Sequence, residues 1–136
     1  MASIFPENMT VTAPITIEYI VSKMFFFHTQ AHLFHFQTPS YAEHKALNKL
    51  FDKLADYKDD IGEQAMGYMK VKPKTITAYP FVNYSPEALQ RFLDDVQSFA
   101  KQLMDFGDSS GFVNLSNLAQ EVSGLAASTR YLLTLK

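Results

Sequence analysis

Apolar residues recur every three or four positions along four long segments of the chain, which predicts four α-helices. In chain order, the predicted helices cover residues 13–37, 40–66, 85–106 and 115–134. Gly67 and Gly107 are the predicted stops of the second and third helices. The predicted core stripe of the fourth helix is Leu118, Val122, Leu125, Thr129 and Leu132. Residues 68–84 contain two prolines and several β-branched residues, so they predict an extended crossover without regular helix. The pattern therefore predicts a single all-α domain over residues 1–136, a four-helix bundle with one central crossover.

The first predicted helix carries apolar residues in nearly every direction around its axis. They are Ile20, Val21, Met24, Phe25, Phe26, Phe27, Leu33, Phe34 and Phe36. Thr12 as a cap and Pro14 in the first turn predict where this helix begins, and Pro39 predicts where it ends. Because a helix that is apolar all round must be covered on more than one side, we expect another subunit to supply part of the cover.

The second predicted helix is amphipathic, with an apolar stripe on one side and candidate metal ligands on the other. The stripe consists of Leu47, Leu50, Leu54, Ile61 and Ala65. The ligand side consists of His44, Asn48, Asp59 and Glu63, which fall within roughly 100° of one another around the axis. These four side chains are therefore predicted to point away from the core of their own bundle.

The four candidate ligands are placed symmetrically about a point between residues 53 and 54. His44 and Glu63 are separated by about 28 Å along the helix, whereas the ligands of one metal ion lie about 2–2.6 Å from it. One helix cannot bring both ends to one ion. A second copy packed antiparallel across a two-fold axis would bring His44 and Asn48 of one chain to Asp59 and Glu63 of the other, which predicts a metal site at a dimer interface.

Composition narrows the chemistry that such a site could use. The chain has 12 Phe and 7 Tyr but no Cys, so aromatic packing should be prominent and His and carboxylate are the strong metal ligands that remain.

The formal net charge of −2 argues against general attraction to nucleic acid or to an anionic membrane. Residues 15–36, the most apolar stretch, carry three His, a Lys and a Glu, so we expect no transmembrane helix. The first residues lack a basic region followed by an apolar run, so we expect a cytoplasmic protein.

Residues 35–67, which read HFQTPSYAEHKALNKLFDKLADYKDDIGEQAMG, resemble the second-helix region of the Dps-like branch of the ferritin superfamily. That family has a His, an acid four residues later, an Asp eleven beyond and a Glu four further. His44, Asp59 and Glu63 match this spacing. The resemblance implies a ferritin-like bundle, iron held between two-fold-related subunits, ferroxidase activity with peroxide or dioxygen, iron storage in a dodecameric shell and protection from oxidative stress.

Three departures from the family pattern bear on the predicted site. Asn48 stands where the family has an acid, which should lower the affinity for Fe²⁺ because an amide brings no charge. The family also has an earlier His, followed by an aromatic residue, near the end of its first helix, and two residues could match it. His32 keeps the family's twelve-residue separation from His44, whereas His35 keeps the His-aromatic pair but needs a loop three residues shorter. We favour His35 because loops absorb deletions more easily than helices do. Residues 1–22 contain no Lys or Arg, so the basic tail through which some relatives hold DNA is missing and DNA binding is not expected.

The predicted metal ligands are therefore His32, His35, His44, Asn48, Asp59 and Glu63. Fe is the expected metal, with Zn and Mn as alternatives. A basic edge beside the ligand face consists of Lys45, Lys49 and Lys53. These lysines are either solubilising or partners between subunits for Asp56 and Asp60.

A second hypothesis belongs to a different functional class. The chain could be a structural or assembly protein, such as a shell or virion component, that has kept the bundle and lost the chemistry. Three features fit this hypothesis as well: Asn48, the all-apolar first helix and the short chain. A cluster such as His28, His32 and His35 is also common among packed histidines that hydrogen-bond to carbonyls.

Overall fold

The computed structural model describes residues 14–135, and the predicted all-α four-helix bundle with one crossover is confirmed. The helices are α1 (Ile17–Gln37), α2 (Tyr41–Met69), α3 (Pro86–Ser110) and α4 (Val113–Leu132). Within residues 14–135 there is no β-strand, and no helix is long and apolar enough to cross a membrane.

The helices pack mainly as two hairpins, α1 with α2 and α3 with α4, and the hairpins meet chiefly through α2 and α4. The extended crossover between α2 and α3 runs beside α1, from Glu18 near the start of α1 to Gln37 at its end. The crossover therefore returns the chain to the end of the bundle where α2 began, and α2 and α3 run in the same direction.

Polar side chains of α1 hold the crossover in place. The Gln30 side chain is fully buried, and its amide both donates to the carbonyl oxygen of Val82 at 3.0 Å and accepts from the Val82 N–H at 2.9 Å. Ser22 accepts from the backbone N–H of Thr77 at 2.8 Å. The α1 helix is apolar on most sides, but these two polar side chains form hydrogen bonds with backbone groups of the crossover. Those groups need such partners because the crossover belongs to no β-sheet within residues 14–135.

Two predicted helix boundaries on the first hairpin are wrong. The α1 helix begins at Ile17, where the Thr16 hydroxyl accepts from the Tyr19 N–H at 3.1 Å; the predicted cap at Thr12 lies outside the described residues. The α2 helix continues through Gly67 and ends at Met69, because the left-handed turn is made by Lys70 with φ of 58°. A glycine inside a helix is tolerated, so it was a weak stop signal.

The predicted end of α3 at Gly107 is also wrong, because the helix continues to Ser110 and Gly111 makes the left-handed turn with φ of 74°. A Cβ on Gly107 would lie 2.9 Å from the backbone nitrogen of Ser116, and Cβ atoms are essentially never found so close to a non-bonded backbone atom. Gly107 therefore permits the close approach of α3 and α4. The α4 helix begins at Val113, two residues earlier than predicted.

The core face of α4 contains Val122 and Thr129 of its predicted stripe but not the three leucines. Its buried side chains are mainly small: Leu115, Ser116, Ala119, Val122, Ala126 and Thr129. Leu118, Leu125 and Leu132, which the pattern placed in the core, are only partly buried. The close contact at Gly107 explains this, since small residues let the two helices approach.

Candidate metal centre

A cluster of imidazole and phenyl rings lies where α1 ends and α2 begins. We call it the histidine cluster, and it consists of His32, His35, Phe36, His44 and Phe51. The rings of His35 and His44 stack with centroids 3.9 Å apart and planes 25° apart. His32 lies between two phenyl rings, 4.2 Å from Phe51 and 4.6 Å from Phe36. The short reversal at residues 38–40 places the last turn of α1 beside the first turn of α2, which brings these rings together.

His44 is held in one tautomer by a backbone carbonyl. Its Nδ1 lies 2.9 Å from the carbonyl oxygen of His35, and a carbonyl can only accept, so Nδ1 carries the proton. In the neutral ring Nε2 then carries the lone pair. Metal-binding histidines are commonly fixed in this way, with the second nitrogen donating to a carbonyl or carboxylate.

His35 is a buried imidazole whose nitrogens are unsatisfied. Its side chain is only 8% exposed, and neither ring nitrogen has a hydrogen-bond partner within residues 14–135. Burial lowers the pKa of His35, and the neighbouring His44 and His32 lower that pKa further, so the ring is neutral at pH 7. A neutral, unpaired imidazole beside another fixed imidazole is a donor set that suits a transition metal ion.

His28 has a different environment from the other histidines of α1. Its Nδ1 lies 3.4 Å from Lys58 Nζ, and Lys58 also lies over the Phe25 ring at 4.9 Å from the centroid. Burial lowers the pKa of His28, and so does the charge of Lys58. His28 is therefore an acceptor for a lysine and contributes to helix packing.

The remaining predicted ligands lie along the outer face of α2. Asn48, Asp59 and Glu63 are exposed, and the Asn48 amide donates to Asp52 at 3.3 Å. Within residues 14–135 no three His, Asp or Glu side chains are arranged to hold a metal ion. The chain thus brings together the predicted histidines but leaves the predicted acids apart from them. One copy supplies at most part of a coordination sphere.

Two residues beside the histidine cluster, Glu43 and Tyr84, were not identified from the sequence. The Glu43 carboxylate accepts from the Thr38 hydroxyl at 2.7 Å and from the Tyr84 hydroxyl. Ser40, three residues before Glu43, is the N-cap that accepts from the Glu43 N–H, and this serine-glutamate spacing is a signal that could have drawn attention to Glu43. Tyr84 gave no such signal, because it approaches Glu43 only through the path of the crossover.

The chain is similar to a protein family and to a bacteriophage protein. Residues 35–133 match DUF5856, which is described as a family of unknown function. The chain is also 30% identical over 107 residues to an uncharacterized 14.6 kDa protein from the mobD-ri intergenic region of Enterobacteria phage T4, a match that covers 77% of each chain. No solved structure matches.

The predicted membership in the Dps-like branch of the ferritin superfamily is wrong, since the family that matches is DUF5856. The motif behind that prediction consists of His, Asp and Glu on one side of α2. Charged residues at these spacings also arise on the solvated side of any amphipathic helix. The chemistry of the histidine cluster must therefore be argued from its own geometry.

Proposed function

The chain belongs to DUF5856, a family of unknown function, and we therefore propose a function from its own residues: it binds a divalent transition metal ion between two copies of the chain. One observation carries the proposal. His35 is buried and neutral, and neither of its ring nitrogens has a hydrogen-bond partner within the described residues, while the adjacent His44 has its tautomer fixed by a carbonyl. A bound metal ion would accept the lone pair of whichever His35 nitrogen carries no proton.

The donor types limit which metals fit. The chain has no Cys, so its ligands are imidazole, amide and carboxylate, a set that suits Fe²⁺, Mn²⁺ and Zn²⁺. His35 and His44 would supply the imidazoles, with His32 beside them and Asn48 as a weaker oxygen donor. The carboxylates that would complete the site are Asp59 and Glu63 of a second copy.

The charge pattern of α2 supports a second copy as the partner. The first half of α2 carries three exposed lysines, Lys45, Lys49 and Lys53, and one exposed acid, Asp52, whereas the exposed charges of the second half are the acids Asp56, Asp59, Asp60 and Glu63. Two α2 helices packed antiparallel about a two-fold axis would place the basic half of each on the acidic half of the other. The same pairing would place the acids beside the partner's histidine cluster.

Exposed aromatic side chains next to the cluster fit the same interface. Phe36 is 71% exposed and Tyr41 is 75% exposed, and their rings adjoin His32 and His44. Burying large apolar side chains between copies would contribute to association at about 25 cal/mol per Å². A surface that combines aromatic rings with self-complementary charge favours homo-oligomer formation over a monomer.

Fe²⁺ is the first metal to test. Oxidation of bound Fe²⁺ by dioxygen or peroxide, storage of the product inside a closed assembly and a cytoplasmic location remain predictions. They depend on metal binding, which is the step that the geometry of His35 and His44 supports.

A calorimetric titration with Fe²⁺ under anaerobic conditions tests the proposal. We expect roughly one ion per chain in the wild type and loss of binding in the His44→Ala variant. His28→Ala is the matched control, because it removes a histidine of α1 that faces Lys58, and it should bind as the wild type does. Equal binding by all three proteins, or none by the wild type, rejects the proposal.

The second candidate function is an assembly component that uses the same interface without metal. The exposure of Phe36 and Tyr41 favours it, and so does the origin of the relative in a bacteriophage. In that case the copies should associate equally well in the wild type and in His44→Ala, and the titration with Fe²⁺ should show no binding. Association and metal binding, measured on the same samples, separate the two functions.

A further inference from the structure

A hydrogen-bond network joins three parts of the chain immediately before His44. We call it the Glu43 network, and it consists of Thr38, Ser40, Glu43 and Tyr84. Thr38 donates its hydroxyl hydrogen to the Glu43 carboxylate at 2.7 Å and accepts from the Ser40 N–H at 3.2 Å. Tyr84, at the end of the crossover, donates to the same carboxylate. The loop between α1 and α2 is thereby tied to the start of α3.

Tyr84 is anchored independently of Glu43. Its backbone N–H donates to the Gln37 side chain at 2.7 Å, and its ring packs edge-on against the buried Phe34 with centroids 6.2 Å apart. Burial raises the pKa of Tyr84, and the bond to Glu43 raises that pKa as well, so the hydroxyl keeps its proton and remains a donor. A fixed donor of this kind can hold the first turn of α2.

The first turn of α2 sets the position of the His44 ring. The His44 N–H donates to the Ser40 carbonyl at 2.9 Å, while the ring reaches across to the His35 carbonyl at 2.9 Å. Terminal turns of helices fray because their end groups lack intrahelical partners. If the first turn opens, the ring loses its carbonyl acceptor and both neutral tautomers become accessible.

We propose that Tyr84 is a positioning residue, which acts through Glu43 to hold the first turn of α2 so that His44 presents one tautomer to a metal ion. The metal part of this inference rests on the proposed function. The effect on the His44 ring itself exists in the metal-free protein, so it can be measured separately.

Nitrogen-15 NMR of the histidine rings in metal-free Tyr84→Phe tests the inference. We expect the Nδ1–H tautomer of His44 in the wild type and a mixture of tautomers in Tyr84→Phe. The affinity for Fe²⁺ should also fall by about 10–100-fold, as is usual when a residue that orients a ligand is changed. Tyr57→Phe is the matched control, since Tyr57 donates to Glu121 at 3.1 Å and joins α2 to α4. It should retain the wild-type tautomer.

Two changes at Glu43 keep the test decisive if Tyr84→Phe folds poorly. Glu43→Gln retains an oxygen acceptor for Tyr84 and should preserve the tautomer of His44, whereas Glu43→Ala should mix the tautomers. An unchanged tautomer in both Tyr84→Phe and Glu43→Ala overturns the inference. If the tautomer shifts as expected but the wild type binds no Fe²⁺, the proposed function fails and the positioning of His44 by Tyr84 stands.

Discussion

The ring of His35 stacks on the ring of His44, with 3.9 Å between their centroids, across the reversal that separates α1 from α2. His44 donates to the His35 backbone carbonyl, but the His35 ring itself has no hydrogen-bond partner in the described part of the chain. Buried polar atoms in folded proteins are nearly always paired. The arrangement therefore carries a free-energy cost, which a bound ion would offset.

Replacing His35 with Phe should separate stability from metal binding. The phenyl ring has a similar shape and no unsatisfied nitrogen, so we expect the metal-free variant to gain about 1 kcal/mol in free energy of unfolding and to lose metal binding. Urea unfolding without metal measures the gain. His28→Phe is the control and should gain nothing, because His28 has a lysine as its partner. A clear loss of stability in His35→Phe would show that the imidazole has a packing role instead.

The free energy of unfolding should depend on pH through the same residue. Burial lowers the pKa of His35 in the folded protein below the value of about 6.5 that it has when unfolded. As the pH falls below about 6.5, the unfolded chain takes up a proton that the folded protein does not, so the free energy of unfolding falls. Well above that pH, His35 contributes no further change. Burial also lowers the pKa of His28, so His28 likewise lowers the free energy of unfolding as the pH falls.

Urea unfolding at about pH 7.5 and about pH 5.5 measures this dependence. The loss of stability on acidification should be smaller in His35→Phe than in the wild type, because the contribution of His35 is gone. Identical losses in the two proteins would mean that the His35 ring is as easily protonated when folded as when unfolded.

Reversing the charge of Lys49 should weaken self-association. In the antiparallel arrangement, which is symmetric about the midpoint between residues 53 and 54, Lys49 lies level with residue 58 of the other copy, between Asp56 and Asp60. The two-fold axis repeats the contact, so Lys49→Glu should weaken dimerisation about tenfold or more. Sedimentation equilibrium measures the constant. Adding Asp60→Lys should restore it, whereas Lys101→Glu, which makes the same change in charge on α3, should have no effect. A failure of the double variant to recover would contradict the antiparallel pairing.

Gly107 and Gly124 should respond oppositely to substitution by alanine. A Cβ at Gly107 would lie 2.9 Å from the Ser116 backbone, so Gly107→Ala should cost about 1–3 kcal/mol in free energy of unfolding. Gly124 has no atom within 4 Å of the same position, so Gly124→Ala should gain about 0.5–1 kcal/mol from helix propensity. Thermal unfolding of both variants measures the contrast, and a stabilised Gly107→Ala would contradict the close helix contact.

The helices were predictable from the sequence because their apolar periodicity is strong. The ends of the helices were less predictable, because Gly67 and Gly107 have the sequence positions of helix C-terminal stops. Gly67 proved to be a tolerated helical position, and Gly107 permits a contact that depends on the position of α4. Single glycines do not distinguish these roles without knowledge of the neighbouring helix.

The candidate site was predictable only in part. The nearness of His35 and His44 follows from a short reversal between two helices, whereas His35 was favoured from the sequence because loops absorb deletions more easily than helices do. The buried state of His35 and the link from Tyr84 to Glu43 could not be predicted, because both depend on how the crossover and the neighbouring rings pack. The arrangement of a second copy along α2 remains a prediction.

Native mass spectrometry with and without Fe²⁺ tests the central claim most directly, because it reports assembly and metal content together. Metal binding between copies predicts an assembly with an even number of chains that gains roughly one iron per chain, and a His35→Phe variant that assembles but gains none. A wild-type protein that stays a single chain and takes up no iron would contradict it.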